Sequence, residues 1–115
     1  MNISLQTTFR GLEHSDALEE AIRQHAEKLE HFHPHIVSCR VVIELVGKHK
    51  QQGRQFVVHI DLKVPGKEIV IDRDHDEDPY IAMQEAFTAA RRKVEEHARI
   101  RRGEVKKHAS AAPEE

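Results

Sequence analysis

The chain has 115 residues and a formal net charge of −2 at pH 7, with 38% hydrophobic and 33% charged residues, which predicts one globular domain with a modest core. No run approaches the roughly 18 apolar residues that a membrane span needs, and the opening MNISLQTT lacks the basic and apolar blocks of a secretory signal, so a cytoplasmic location and no membrane partner are expected. The lone Cys39 can form no internal disulfide, in keeping with a reducing compartment.

In chain order, residues 2–9 alternate, with Ile3, Leu5 and Thr7 on one side, and predict a first strand. Ser15 then precedes Leu18, Ile22, His25, Leu29 and Phe32, which recur at helical spacing. Its hydroxyl is the N-cap and Asp16 suits the positive end of the helix dipole; Pro34 closes the helix. Residues 36–46 read as a second strand with Cys39, Val41, Ile43 and Leu45 facing one way, and Cys39 is expected as a packing thiol rather than a nucleophile.

The polar segment GKHKQQG leads into RQFVVHIDLKV, the clearest period-two run in the chain. Pro65-Gly66 supplies the centre of a type II turn, because proline presets the first φ and glycine tolerates a positive second one. KEIVID then completes a hairpin. Asp78-Pro79 opens the last helix as N-cap and first helical residue, and Tyr80, Met83, Phe87, Ala90, Val94 and Ala98 mark its core face. Gly103 is the expected breaker, with a flexible tail over 103–115 beyond the folded domain of residues 1–102. The order β-α-β-β-β-α predicts an α+β two-layer sandwich, a four-stranded mixed sheet with both helices on one face and a parallel first pair, like a double-stranded-RNA-binding domain.

Charge is segregated along this frame. Residues 91–107 hold eight basic and three acidic residues, a net of +5, so the remainder carries −7. At 100° per residue from Met83, Arg91, Arg102, Lys106, Arg99 and Arg92 fall between about 80° and 180°, away from the core stripe. A solvated face could use them in weak pairs such as Arg91 with Glu95, Arg92 with Glu96 and Glu95 with Arg99. A stripe of cations also neutralises phosphates and gives salt-sensitive, sequence-independent affinity for nucleic acid. The four Phe and one Tyr fall mostly on core faces, which argues against base stacking.

LEHSDALEEAIRQHAEKLEHF, RQFVVHIDLKVPGKEIVI and DPYIAMQEAFTAARRKVEEH, in this order, resemble the ribosome hibernation-promoting factor and ribosome-associated inhibitor family, also called the sigma-54 modulation family, over about residues 2–102. The resemblance implies a protein that binds the small ribosomal subunit, on its 16S rRNA near the decoding channel, blocks messenger and transfer RNA, and holds ribosomes inactive under stress. It implies rRNA contacts at Lys28 and His25 of the first helix, although phasing places His25 on the core face, and at Arg91, Arg92, Lys93 and Arg99 of the second. Arg23 of the first helix and Arg102 and Lys106 of the basic stripe complete the candidate set. Glu19, Glu20, Glu27 and Glu30 make the outward side of the first helix largely acidic, which would also suit a basic protein partner. The alternative is therefore a protein-interaction or transcription-regulatory, sigma-modulator-like module. The chain resembles the family's short form, for which pairing of ribosomes is not expected, and it is expected to be a monomer off the ribosome.

Other clusters carry less. His31, His33 and His35 sit at alternate spacing without a committed fourth ligand. Asp72, Asp74, Asp76, Glu77 and Asp78 lack the glycine and glutamate that a calcium loop places at its sixth and twelfth positions. With no triad, phosphate loop or paired carboxylates, no enzyme, cofactor, bound metal or small-molecule substrate is predicted. Ten histidines with an ordinary pKa near 6.5 predict that RNA affinity rises as pH falls from about 7.5 to 6.

Overall fold

The computed structural model describes residues 3–46, 55–75 and 77–102. The polar segment GKHKQQG before the third strand, Asp76 and the expected tail from Gly103, Lys106 included, lie outside the described residues. The elements are β1 (Ser4–Arg10), α1 (Asp16–Phe32), β2 (Ser38–Val46), β3 (Gln55–Val64), β4 (Lys67–His75) and α2 (Pro79–Arg102). The sheet runs β1-β2-β3-β4, with β1 parallel to β2 and the other two pairings antiparallel, the sandwich that the residue pattern predicts.

Alternation decides which side chains meet the helices. Phe56, Val58, Ile60, Leu62 and Val64 of β3 are buried. Register carries that face across the sheet, Val41 lying opposite Ile60 and Ile60 opposite Ile71. Leu18, Ile22, Ala26 and Leu29 of α1 and Met83, Phe87 and Val94 of α2 join the same continuous core. Each fully buried Ile or Leu here contributes about 1.5–3 kcal/mol. The other face of the sheet carries Arg40, Glu44, His59, Asp61 and Lys63, with Arg40 opposite Asp61 and His59 opposite Asp72. Among the described residues no helix is long and apolar enough to cross a membrane.

The caps and turn follow local chemistry. Leu18 N–H donates to Ser15 Oγ at 3.1 Å and Tyr80 N–H to Asp78 Oδ1 at 2.8 Å, each satisfying an orphan donor of a first helical turn. Gly66 has φ 80°, as the second central residue of a type II turn requires.

Three expectations are corrected. β4 runs on to His75 instead of stopping at Asp72, because Arg73, Asp74 and His75 continue the pairing with Val58, Val57 and Phe56; the backbone ladder outlasts the apolar pattern. Tyr80 and Phe32 are 46% and 49% exposed, so two of the five Phe and Tyr residues stand outside the core. The buried face of α2 is made by Ala82, Ala86, Ala89 and Ala90 with Met83, Phe87 and Val94, and Tyr80 in the first turn lies outside it. β2 begins at Ser38, two residues later than predicted, after the Val37 N–H has already paired with Lys63 O at 2.8 Å.

Candidate nucleic-acid interface

Ala90 and Val94 seat α2 on the sheet, and this turns the charged positions between and beyond them to solvent. Arg91, Arg92, Lys93, Arg99, Arg101 and Arg102 are all exposed. The last turn carries Arg99, Arg101 and Arg102, where cations complement the partial negative charge of the helix end.

Arg91 is the residue that ties the two helices together electrostatically. Its Nε donates to Glu95 Oε2 at 2.9 Å, and its guanidinium carbon sits 4.4 Å from the centre of the Phe32 ring at the end of α1. Such a cation–π contact at an exposed site stabilises by about 0.5–1 kcal/mol, and it accounts for a phenylalanine left half in water. The hydrogen bond from Arg91, followed by smaller contributions from its charge and from His33, holds the Glu95 carboxyl below its ordinary pKa. Of the three i,i+4 spacings in the sequence, Arg91 with Glu95 closes, and Glu95 is thereby engaged on this side rather than by Arg99.

Between the helices a shallow groove is floored by Leu29 and Phe87 and rimmed by Lys28, His25, Thr88 and Arg91. The His25 ring stacks on Phe87 at 5.0 Å and 12°. Burial, followed by the charge of Lys28, lowers the His25 pKa, so it meets the groove at neutral pH as an uncharged ring. The groove thus presents cations from Lys28 and Arg91 on its two rims.

The remaining candidates are distributed differently. Arg92 and Arg99 project from α2 into solvent. Arg102 lies at the end of the helix near the α1–β2 turn. Arg23 is on the β1 flank of α1, beside Thr7 and Asp16, and is held by its own helix: its Nε donates to Glu20 Oε1 at 3.1 Å, its Nη2 reaches Glu20 Oε2, and its Nη1 donates to Glu27 Oε2 at 2.5 Å. Lys93 is on the opposite, β4 flank of α2, beside Lys67 and Glu68. The structure therefore brings Lys28 and Arg91 together, keeps Arg92, Arg99 and Arg102 exposed beyond them, and separates Arg23 and Lys93 from the groove. Lys106 lies outside the described residues.

The sequence reading missed Arg101 and His97. Both donate to the carbonyl oxygen of Pro65 at 3.1 Å. The signal was available, since Arg101 falls at about 0° from Met83 and so under the helix end, where the β3–β4 turn meets it. Among the described residues the HFHPH histidines form no group compact enough to hold a metal. His31 packs edge-on to Phe32, and His33 Nε2 lies 3.7 Å from Glu95 Oε2. Among the described residues the group compact enough for a metal is instead His14, Asp16 and Glu19, all exposed. His14 Nε2 is 2.9 Å from Asp16 Oδ1 and 3.2 Å from Glu19 Oε1, an arrangement that ion pairing at a helix start explains.

Over residues 5–102 the sequence matches the family described as Sigma 54 modulation protein / S30EA ribosomal protein. Among curated proteins none matches. Two solved structures are similar in fold. One is a ribosomal subunit interface protein from Coxiella burnetii, with a TM-score of 0.72 at 17% identity, covering 84% of this chain and 98% of that one. The other is the N-terminal domain of Thermus thermophilus Protein Y, with a TM-score of 0.69 at 24% identity, covering 84% of this chain and 99% of that one.

Proposed function

Because the chain belongs to the Sigma 54 modulation protein / S30EA ribosomal protein family, a family of ribosome-associated, non-enzymatic proteins, we propose that it is a ribosome-associated translation inhibitor whose helix face docks on the 16S rRNA of the small subunit near the decoding channel. There it excludes messenger and transfer RNA and holds the subunit inactive under stress, which places its work in the cytoplasm. The observation that carries the reading is the exposed cationic face on one side of the sandwich: Lys28 and Arg91 rim the inter-helix groove, with Arg92 and Arg99 beside them. A groove of this kind reads phosphate and shape rather than base edges.

The test is cosedimentation with purified small subunits. Neutralising about four phosphates predicts an affinity that falls roughly a hundredfold between about 50 and 200 mM salt. An Arg91→Glu, Arg92→Glu, Arg99→Glu variant is expected to stay in the supernatant and to leave translation in vitro uninhibited. Binding that persists through high salt and ribonuclease would contradict the rRNA reading. It would favour a protein partner instead, for which the Glu20–Arg23–Glu27 network on α1 offers a largely acidic surface.

A further inference from the structure

Beyond the helix face, a separate cavity of about 370 Å³ opens where the end of α1, the β3–β4 turn and the last turns of α2 meet. That size suits a small ligand. Among the described residues its charged and titratable lining consists of His33, His35, His97, Arg101 and Arg102, with no carboxylate, in a chain that has 20 acidic residues against 18 Lys and Arg. His97 Nε2 and Arg101 Nη1 are held in place by the same acceptor, Pro65 O, so these two groups are oriented before any ligand arrives. His33 Nε2 is buried and makes no hydrogen bond; the nearby Glu95 carboxylate, at 3.7 Å, is engaged from its other side by Arg91. A buried ring nitrogen in this state can take a water or a ligand atom as its partner. Donors come from two chain segments, the α1–β2 turn with His33 and His35 and the end of α2 with His97, Arg101 and Arg102, so rings and guanidinium groups can share the terminal oxygens of a phosphate, which one guanidinium fork alone would not satisfy. Phe32 and Pro34 add an apolar wall beside the polar lining.

We propose that this cavity binds the phosphate of a nucleotide, with the nucleoside against Phe32 and Pro34. The phosphate can belong to an RNA strand, in which case the pocket extends the helix face through Phe32, or to a free mononucleotide. The inference does not depend on ribosome binding.

It is tested by proton–nitrogen NMR on the full chain, titrated separately with inorganic phosphate, AMP and a four-nucleotide RNA lacking terminal phosphates. The expected result is a saturable shift of the His33, His35 and His97 ring resonances and of the Arg101 side chain. The Arg101→Gln variant should weaken binding roughly tenfold, and Arg40→Gln, on the opposite face of the sheet, should leave it unchanged. His35→Gln, in the exposed turn, serves as a second variant expected to weaken binding should Arg101→Gln disturb the β3–β4 turn. Saturation with AMP identifies a free mononucleotide and saturation with the RNA identifies a strand, whereas saturation with inorganic phosphate but with neither nucleotide would overturn the proposal, leaving a bare anion site. Shifts that never saturate with any of the three, or that fall on Arg92 and Arg99 instead, overturn the proposal. That failure would leave the helix-face reading standing, because cosedimentation of the Arg91, Arg92 and Arg99 variant is measured independently.

Discussion

Two side chains show how burial sets chemistry residue by residue. Cys39 is 1% exposed, and burial, followed by the charge of Asp61, pushes its thiol up to about 12. A thiolate is the reactive form, so the folded protein should resist thiol reagents at about pH 8 and react at the rate of unfolding. Rapid modification of native protein would contradict this. Cys39→Ser, which leaves a hydroxyl in the same apolar site, is expected to cost about 1–3 kcal/mol. His25 behaves in the opposite sense. Its folded pKa lies below the unfolded value because burial and Lys28 oppose its charge, so as pH falls through about 6.5 the unfolded chain takes up the proton first and stability drops. Above that pH the contribution is fully present, and it is lost as pH falls to the folded value. His25→Phe keeps a ring on Phe87 and removes the titration, so its urea midpoint should fall less between about pH 7.5 and 5.5 than that of the wild type. Parallel falls would rule out His25 as the source. Acid therefore adds charge at His25 only at a lower pH than at a histidine with the ordinary value.

At the scale of elements, local signals were legible and long-range ones were not. The β3 alternation, the Ser15 and Asp78 caps and the Pro65-Gly66 turn depend on residues within four positions of one another, and each appears in the structure as the residue pattern predicts. Gly11 depends on a strand remote in sequence. It has φ 75°, and a side chain there would place Cβ 2.8 Å from Leu45 O, so no local pattern marks it. Gly11→Ala should cost about 1–3 kcal/mol from the left-handed backbone together with the carbonyl clash. A thermal melt unchanged from wild type would refute that. The extension of β4 and the burial of Ala82, Ala86 and Ala89 beside the predicted Ala90 escaped a reading that follows mainly large apolar residues, whereas edge strands and close helix–sheet contacts are made with other types. The candidate site was legible to the same depth. Helical phasing turned Arg91, Arg92, Arg99 and Arg102 away from the core, and all four are exposed, but composition alone could not show that Glu20 and Glu27 absorb Arg23, or that Phe32 remains outside as a seat for Arg91.

For the molecule as a whole, the two faces differ in the sign and mixing of charge. On the helix side α2 exposes Arg91, Arg92, Lys93, Arg99, Arg101 and Arg102 against Glu96 and a half-buried Glu95, while α1 beside it exposes Lys28 together with Glu19 and Glu20. The open sheet side alternates signs, with Arg40 opposite Asp61, Lys63 opposite Glu68, and His59 between Asp72 and Glu44. Paired charges of this kind cancel locally, so the sheet side offers little net field to a polyanion, whereas the cationic excess of α2 steers one. Net charge near neutrality thus conceals a polarised surface. The decisive comparison is between two charge-reversal variants in binding to purified small subunits: Arg91→Glu with Arg92→Glu and Arg99→Glu on the helix face, and Arg40→Glu with Lys63→Glu on the sheet face. The account predicts that the helix variant loses binding by at least a hundredfold while the sheet variant binds within about twofold of wild type. Loss of binding in the sheet variant, with the helix variant unaffected, would contradict it.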